Sequence, residues 1–138
     1  MSNQKRCLVI EDSEVIGEIA VSILEDIGLD VRRAIDPVSG IEACNDHKPE
    51  VIFLDWDLPS LGALDVLRGV AELDAETKPE IILCATENDR QQFKLAKAAG
   101  AAFHLLKPFD VDSIRDILVE ARILDGEAST AGAAKAQA

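Results

Sequence analysis

A doubly wound α/β fold, with a five-stranded parallel sheet and helices on both faces, is what this sequence predicts, on three observations. Short apolar runs alternate with longer segments of helical period, five times over. The apolar runs are continuous rather than alternating, the pattern of strands covered on both faces. The chain has 138 residues, 48% hydrophobic and 29% charged, which suffices for one compact domain with its own core. Parallel crossovers are right-handed, so all five strands point one way and their carboxyl ends share a rim.

The elements follow in order. Cys7-Leu8-Val9-Ile10 is a buried strand ending on Glu11-Asp12. Val15, Ile16, Ile19, Ala20, Ile23, Leu24 and Ile27 form one stripe of an amphipathic helix, capped by Ser13 in front and Gly28 behind. Val31 to Ala34 is a weaker strand stopped by Asp36-Pro37, and Ile41 and Cys44 lie a turn apart in a short helix ending before Pro49. Val51-Ile52-Phe53-Leu54 is the most continuous apolar run and ends on Asp55. After a loop at Pro59, Ala63, Val66, Leu67, Val70, Ala71 and Leu73 trace a third helix. Ile81 to Cys84 is the fourth strand. A helix then starts near Asn88, spaced from Gln91 as a capping box, turns Phe93, Ala96 and Ala99 inward, and ends at Gly100. Ala102 to Leu106 is the fifth strand, and Ile114, Ile117, Leu118, Ala121 and Leu124 mark the fifth helix. Residues 1–125 are expected to form the domain, and the Ala-, Ser- and Gly-rich residues 126–138 a disordered tail.

A formal charge of −12 argues against a surface for duplex DNA or anionic lipid. Arg32-Arg33 and Arg90, Lys94 and Lys97 are the local basic groupings, expected as solvated edges. No run suggests a spanning helix or signal peptide, so a cytoplasmic protein is expected. The three cysteines have no ligand spacing, and Cys7 and Cys84 are read as buried thiols in a reduced compartment.

The chemistry lies in what ends the strands. Glu11-Asp12 follow the first, Asp55 and Asp57 the third, and the fifth runs into Lys107-Pro108. Carboxylates brought together repel unless a proton or cation joins them, and oxygen-only ligands favour a hard ion such as Mg²⁺. An Asp beside such an ion can act as a nucleophile on phosphorus, with a Lys stabilising the transferring oxygens. Asp55, ending the most apolar strand, is the nucleophile candidate.

Glu11-Asp12, Asp55 and Lys107-Pro108-Phe109, on this five-unit pattern, resemble the receiver domain of two-component response regulators, over about residues 5–124. The resemblance implies a flavodoxin-like sheet of order 2-1-3-4-5. It implies that Asp55 accepts a phosphoryl group from a histidine on a sensor histidine kinase or histidine phosphotransfer protein. It further implies Asp12 as direct Mg²⁺ ligand, Glu11 acting through water, the backbone carbonyl of Asp57 as another ligand, Lys107 on the phosphoryl group, and a cis Lys107–Pro108 bond. The chain is then a phosphoacceptor with at most slow self-dephosphorylation. A stand-alone receiver is expected to signal by protein–protein contact through its helix 4–strand 5–helix 5 face, or to act as a phosphate sink.

The sequence departs from the family where a Thr or Ser usually ends strand four. Ungapped counting from Lys107 puts Ala85 there, with Thr86 next; Thr86 can substitute only if the strand end is bulged. The switch aromatic three residues before the lysine corresponds to His104. Gly62 and Ala63 also depart from the usual glycine placement. Trp56 is expected to pack over the site. Two alternatives stand beside the receiver. Asp55-Trp56-Asp57 is similar to the first motif of haloacid-dehalogenase-type phosphatases, although Glu87 and Asp89 substitute poorly for their later acidic motif. A pseudo-receiver that only binds partners is the other.

Overall fold

The computed structural model describes residues 4–74, 76 and 78–126. The first strand, β1 (Arg6–Ile10), leads into α1 (Glu14–Ile27), followed by β2 (Asp30–Ala34), α2 (Pro37–His47) and β3 (Val51–Asp55). A 3₁₀ turn at Pro59–Leu61 precedes α3 (Gly62–Ala71), then come β4 (Glu80–Ala85), α4 (Arg90–Ala98), β5 (Phe103–Leu106) and α5 (Val111–Glu120). The five strands are parallel in the order β2-β1-β3-β4-β5.

Alternation along the strands sorts the core into two layers. Cys7, Val9, Phe53, Ile82 and Leu105 pack against Ala20 and Leu24 of α1 and Ile114, Ile117 and Leu118 of α5. Leu8, Ile10, Ile52, Leu54 and Leu83 face α2, α3 and α4 through Cys44, Val66, Leu67 and Ala96. Each fully buried Leu or Ile contributes about 1.5–3 kcal/mol relative to an exposed one. All three cysteines are buried free thiols; burial pushes Cys7 up, Cys84 to about 12 and Cys44 to about 11, so none is a reactive thiolate.

Several local expectations change. In α1, Val15 and Ile19 are exposed, because the inward stripe runs through Gly17, Ala20 and Leu24. Asn88 does not cap α4: Asp89 does, its carboxylate accepting from the amides of Gln91 and Gln92, and of the expected inward side chains only Ala96 is buried. The fifth helix ends at Glu120. Its apolar period continues because Ala121 and Ile123 still enter the core from a turn in which Arg122 has φ 61°. Cap predictions elsewhere agree: Ser13 accepts from the Ile16 amide, and Gly28 takes φ 114° while its N–H donates to Leu24 and Glu25. The expected tail lies outside the described residues, save Gly126. Among the described residues, no helix is long and apolar enough to cross a membrane.

Candidate functional site

Register brings the acids together. Ile10 pairs with Leu54, so the residues that follow, Glu11 and Asp55, emerge side by side at the carboxyl rim. Carboxylate oxygens of Glu11, Asp12 and Asp55 lie within 4.8 Å of one another. Glu11 and Asp55 are buried, whereas Asp12 is exposed at the mouth. From the end of β5, Lys107 Nζ reaches both buried acids, 2.8 Å from Glu11 Oε1 and 2.8 Å from Asp55 Oδ1. The Lys107–Pro108 bond is cis, as the family resemblance implied.

The Asp55 carboxylate is fixed from two sides. Lys107 and the Asp57 amide both donate to its Oδ1, the latter at 2.9 Å. Glu11 is held through Oε2, which accepts from the Ser13 amide at 3.1 Å. Three carboxylates around one ammonium leave the pocket negative. Burial first, then a side-chain hydrogen bond that the protonated Asp55 carboxyl can donate to Glu11, raises Asp55 above its usual range despite Lys107. For Lys107 burial acts downward, but the hydrogen bonds to Asp55 and Glu11 outweigh it and the ammonium is held above its usual value. An all-oxygen site with surplus negative charge, open at Asp12, fits a hard divalent cation such as Mg²⁺.

The neighbouring stretch of rim is built differently. β4 runs regularly through Ala85, which pairs with Leu106, and the Lys107 amide donates to Ala85 O at 2.8 Å. There is no bulge to turn Thr86 inward. Ala85 is buried, while Thr86 is exposed beyond the strand, its amide and hydroxyl donating to Asp57 Oδ2 at 3.4 and 3.3 Å. Asp57 therefore ties the β3–α3 loop to the β4–α4 loop. A cleft of about 350 Å³ opens here, lined by Trp56, Asp57, Ala85, Thr86 and Phe93 among others. Trp56 packs toward this α3–α4 side, half-buried against the core layer there. His104 stacks on Phe93 of α4, ring centroids 4.1 Å apart and planes 16° apart. Sequence reasoning placed His104 on the last strand but had no signal for its partner. It also misjudged Arg33: Arg32 is exposed, but the Arg33 guanidinium is drawn under α1 and hydrogen-bonded to backbone. Arg90, Lys94 and Lys97 are exposed, as expected.

An acidic, lysine-tied pocket at the carboxyl rim of a 2-1-3-4-5 sheet defines a class of phosphoacceptor signalling domains. The chain belongs to the response regulator receiver domain family, whose model matches residues 7–119. It is 33% identical to the transcriptional regulatory protein CseB of Streptomyces coelicolor, an alignment covering 99% of this chain and 59% of that one. The chain thus spans about half the length of the transcriptional regulators it matches. Sporulation initiation phosphotransferase F of Bacillus subtilis is 23% identical, with 84% of this chain and 91% of that protein covered. Among solved structures, the chemotaxis response regulator CheY4 of Vibrio cholerae superposes with a TM-score of 0.79 at 24% identity, over 88% of this chain and all of that one. This likeness supports the fold. The phosphatase alternative loses its second acidic motif, since Asp89 is spent capping α4 and Glu87 is exposed.

Proposed function

We propose that the domain receives a phosphoryl group on Asp55 from a phosphohistidine of a sensor histidine kinase or a histidine phosphotransfer protein. The observation that carries this is the double contact of Lys107 with Asp55 and Glu11 beside Asp12. A carboxylate oxygen of Asp55 bonds to phosphorus as the P–N bond breaks, and the electron pair returns to the imidazole nitrogen, which takes up a proton. Lys107 contacts Asp55 at 2.8 Å and would neutralise the arriving phosphoryl oxygens. Glu11, Asp12, Asp55 and the Asp57 carbonyl would hold Mg²⁺, which would offset the charge of the incoming dianion. The donor must come to the mouth at Asp12. An adjoining, largely apolar cleft of about 290 Å³, lined by Ile16, Ile19, Thr86, Lys107, Pro108 and Phe109, is surface it would cover.

Output through α4, β5 and α5 to a downstream protein is the signalling form of this reading. A phosphate sink is the second form, favoured by Ala85: an apolar residue where a hydroxyl would report the phosphoryl group weakens the link to His104 and Phe93. Incubation with acetyl phosphate or phosphoramidate tests the reading. We expect Mg²⁺-dependent, stoichiometric, acid-stable and alkali-labile labelling that Asp55→Asn abolishes. Turnover of p-nitrophenyl phosphate without a stable label would favour the phosphatase instead, and no labelling under any donor the pseudo-receiver.

A further inference from the structure

We propose that Arg33 is a positioning residue for the metal-binding turn, clamping its backbone through a slot that Gly17 keeps open. The inference rests on the reading of Glu11 and Asp12 as metal ligands. From β2, the Arg33 guanidinium passes beneath the first turn of α1. Its Nη2 donates to the carbonyl of Glu11 at 3.2 Å and to that of Ser13 at 3.0 Å. The two carbonyls bracket Asp12, so one planar group fixes the backbone on both sides of the exposed ligand. Among the described residues, no hydrogen bond or ion pair restrains the Asp12 carboxylate itself, and its direction is set by the turn that carries it. Glu11 N donates to Ala34 O at 3.0 Å, so β2 holds this turn by main chain as well as by Arg33.

Gly17 is the other half of the device. A Cβ there would lie 2.6 Å from Arg33 Cζ and 2.8 Å from Nη2, and would overlap Nε outright. The guanidinium occupies the space of an absent side chain. Arg33 Nε is buried with no hydrogen-bond partner among the described residues, an unfavourable arrangement for stability alone. A group that tolerates an orphaned donor while spending Nη2 on the two carbonyls around Asp12 is better explained by position than by stability.

The slot permits a test in which no charge changes. Gly17→Ala adds one methyl group, favours the helix intrinsically, and meets only the movable end of Arg33. It should expel the guanidinium and leave the fold intact, as circular dichroism would verify. Magnesium affinity is then measured by titration calorimetry and by Trp56 fluorescence, using MgCl₂ with native protein, Gly17→Ala, Arg33→Ala and the double variant. We expect both single variants to bind Mg²⁺ about tenfold more weakly, as when the support behind a metal ligand is removed. The double variant should be no weaker than Arg33→Ala, since both changes break one contact. The sign is informative: were Arg33 merely a nearby positive charge, Arg33→Ala would tighten Mg²⁺ binding and Gly17→Ala, which moves that charge away, would tighten it less or leave it unchanged. Either that pattern or unchanged affinity in both variants overturns the clamp while native Mg²⁺ binding stands. Native protein that binds no Mg²⁺ overturns the metal reading, and the clamp with it.

Discussion

Two adjacent stretches of the same rim are held together in different ways. Where β1, β3 and β5 end, the side chains of Glu11, Asp55 and Lys107 are buried and make short contacts of 2.8 Å, and each of these three is fixed by more than one partner. Where β4 ends, the strand closes on buried Ala85, and the loop beyond is tied by two longer hydrogen bonds from exposed Thr86 to Asp57. On the proposed reading the first stretch carries phosphoryl acceptance, while the second ends its strand on buried Ala85 and leaves the Thr86 hydroxyl on Asp57. The proposed function makes capture and read-out separable here, one carried by strand-end charges and the other by a single residue on the neighbouring strand.

The largest effect should come from the charged stretch. Lys107→Met leaves two buried carboxylates facing each other, and we expect a loss of about 3 kcal/mol at neutral pH in EDTA. Urea unfolding with and without Mg²⁺ measures it, and Mg²⁺ should restore more stability to the variant than it adds to the native protein. A benign Lys107→Met would mean the two stretches are not held differently after all.

Removing a charge instead of its partner should act oppositely. The Asp55 carboxyl is raised in the fold from an ordinary value of 3.8. Between that value and the raised one the folded state binds more protons than the unfolded, so its contribution to stability falls as pH rises through this window. Asp55→Asn abolishes this term and should raise stability in EDTA by about 1 kcal/mol, roughly 4 °C in Tm. Melting curves of both proteins from pH 4 to pH 7 check it: the gap should open with rising pH, and a constant or inverted gap would contradict the cause given.

Changes in the second stretch should be smaller in stability and larger in communication. Ala85→Thr enlarges a residue only 2% exposed and should cost about 1 kcal/mol. Labelling of Asp55 should persist, whereas phosphorylation-dependent chemical-shift changes should newly reach Phe93 and His104. Shifts as large in the native protein would show that Ala85 does not interrupt the path. Thr86→Val, at an exposed site with long hydrogen bonds, should change stability by less than about 0.5 kcal/mol. Asp57→Asn should alter the lifetime of the aspartyl phosphate, by weakening the tie to Thr86 and removing a negative charge beside the acceptor; equal hydrolysis rates would remove that role.

The same contrast explains what the sequence disclosed. Strands covered on both faces are written as unbroken apolar runs, so Val51–Leu54 and Ile81–Cys84 were legible, and the acids after them marked the rim. Boundaries were less so where neighbours compete for one job. Asn88 and Asp89 can both cap, and only the three-dimensional reach of Asp89 to two amides decides between them. Contacts made by a single pair of residues across the fold leave no period to detect. Phe93 with His104, Thr86 with Asp57, and Arg33 with Gly17 are of this kind, and Arg33 in particular looked like an ordinary solvated edge.

Chemical mapping of the phosphorylated residue bears most directly on the account. Protein treated with acetyl phosphate and Mg²⁺ is reduced with borohydride, which turns an aspartyl phosphate into homoserine, and is then sequenced by mass spectrometry. Homoserine at position 55 and nowhere else, dependent on Mg²⁺, is the predicted result. Homoserine at another carboxylate, or none from protein shown to carry the label, would contradict the assignment of Asp55 as the acceptor.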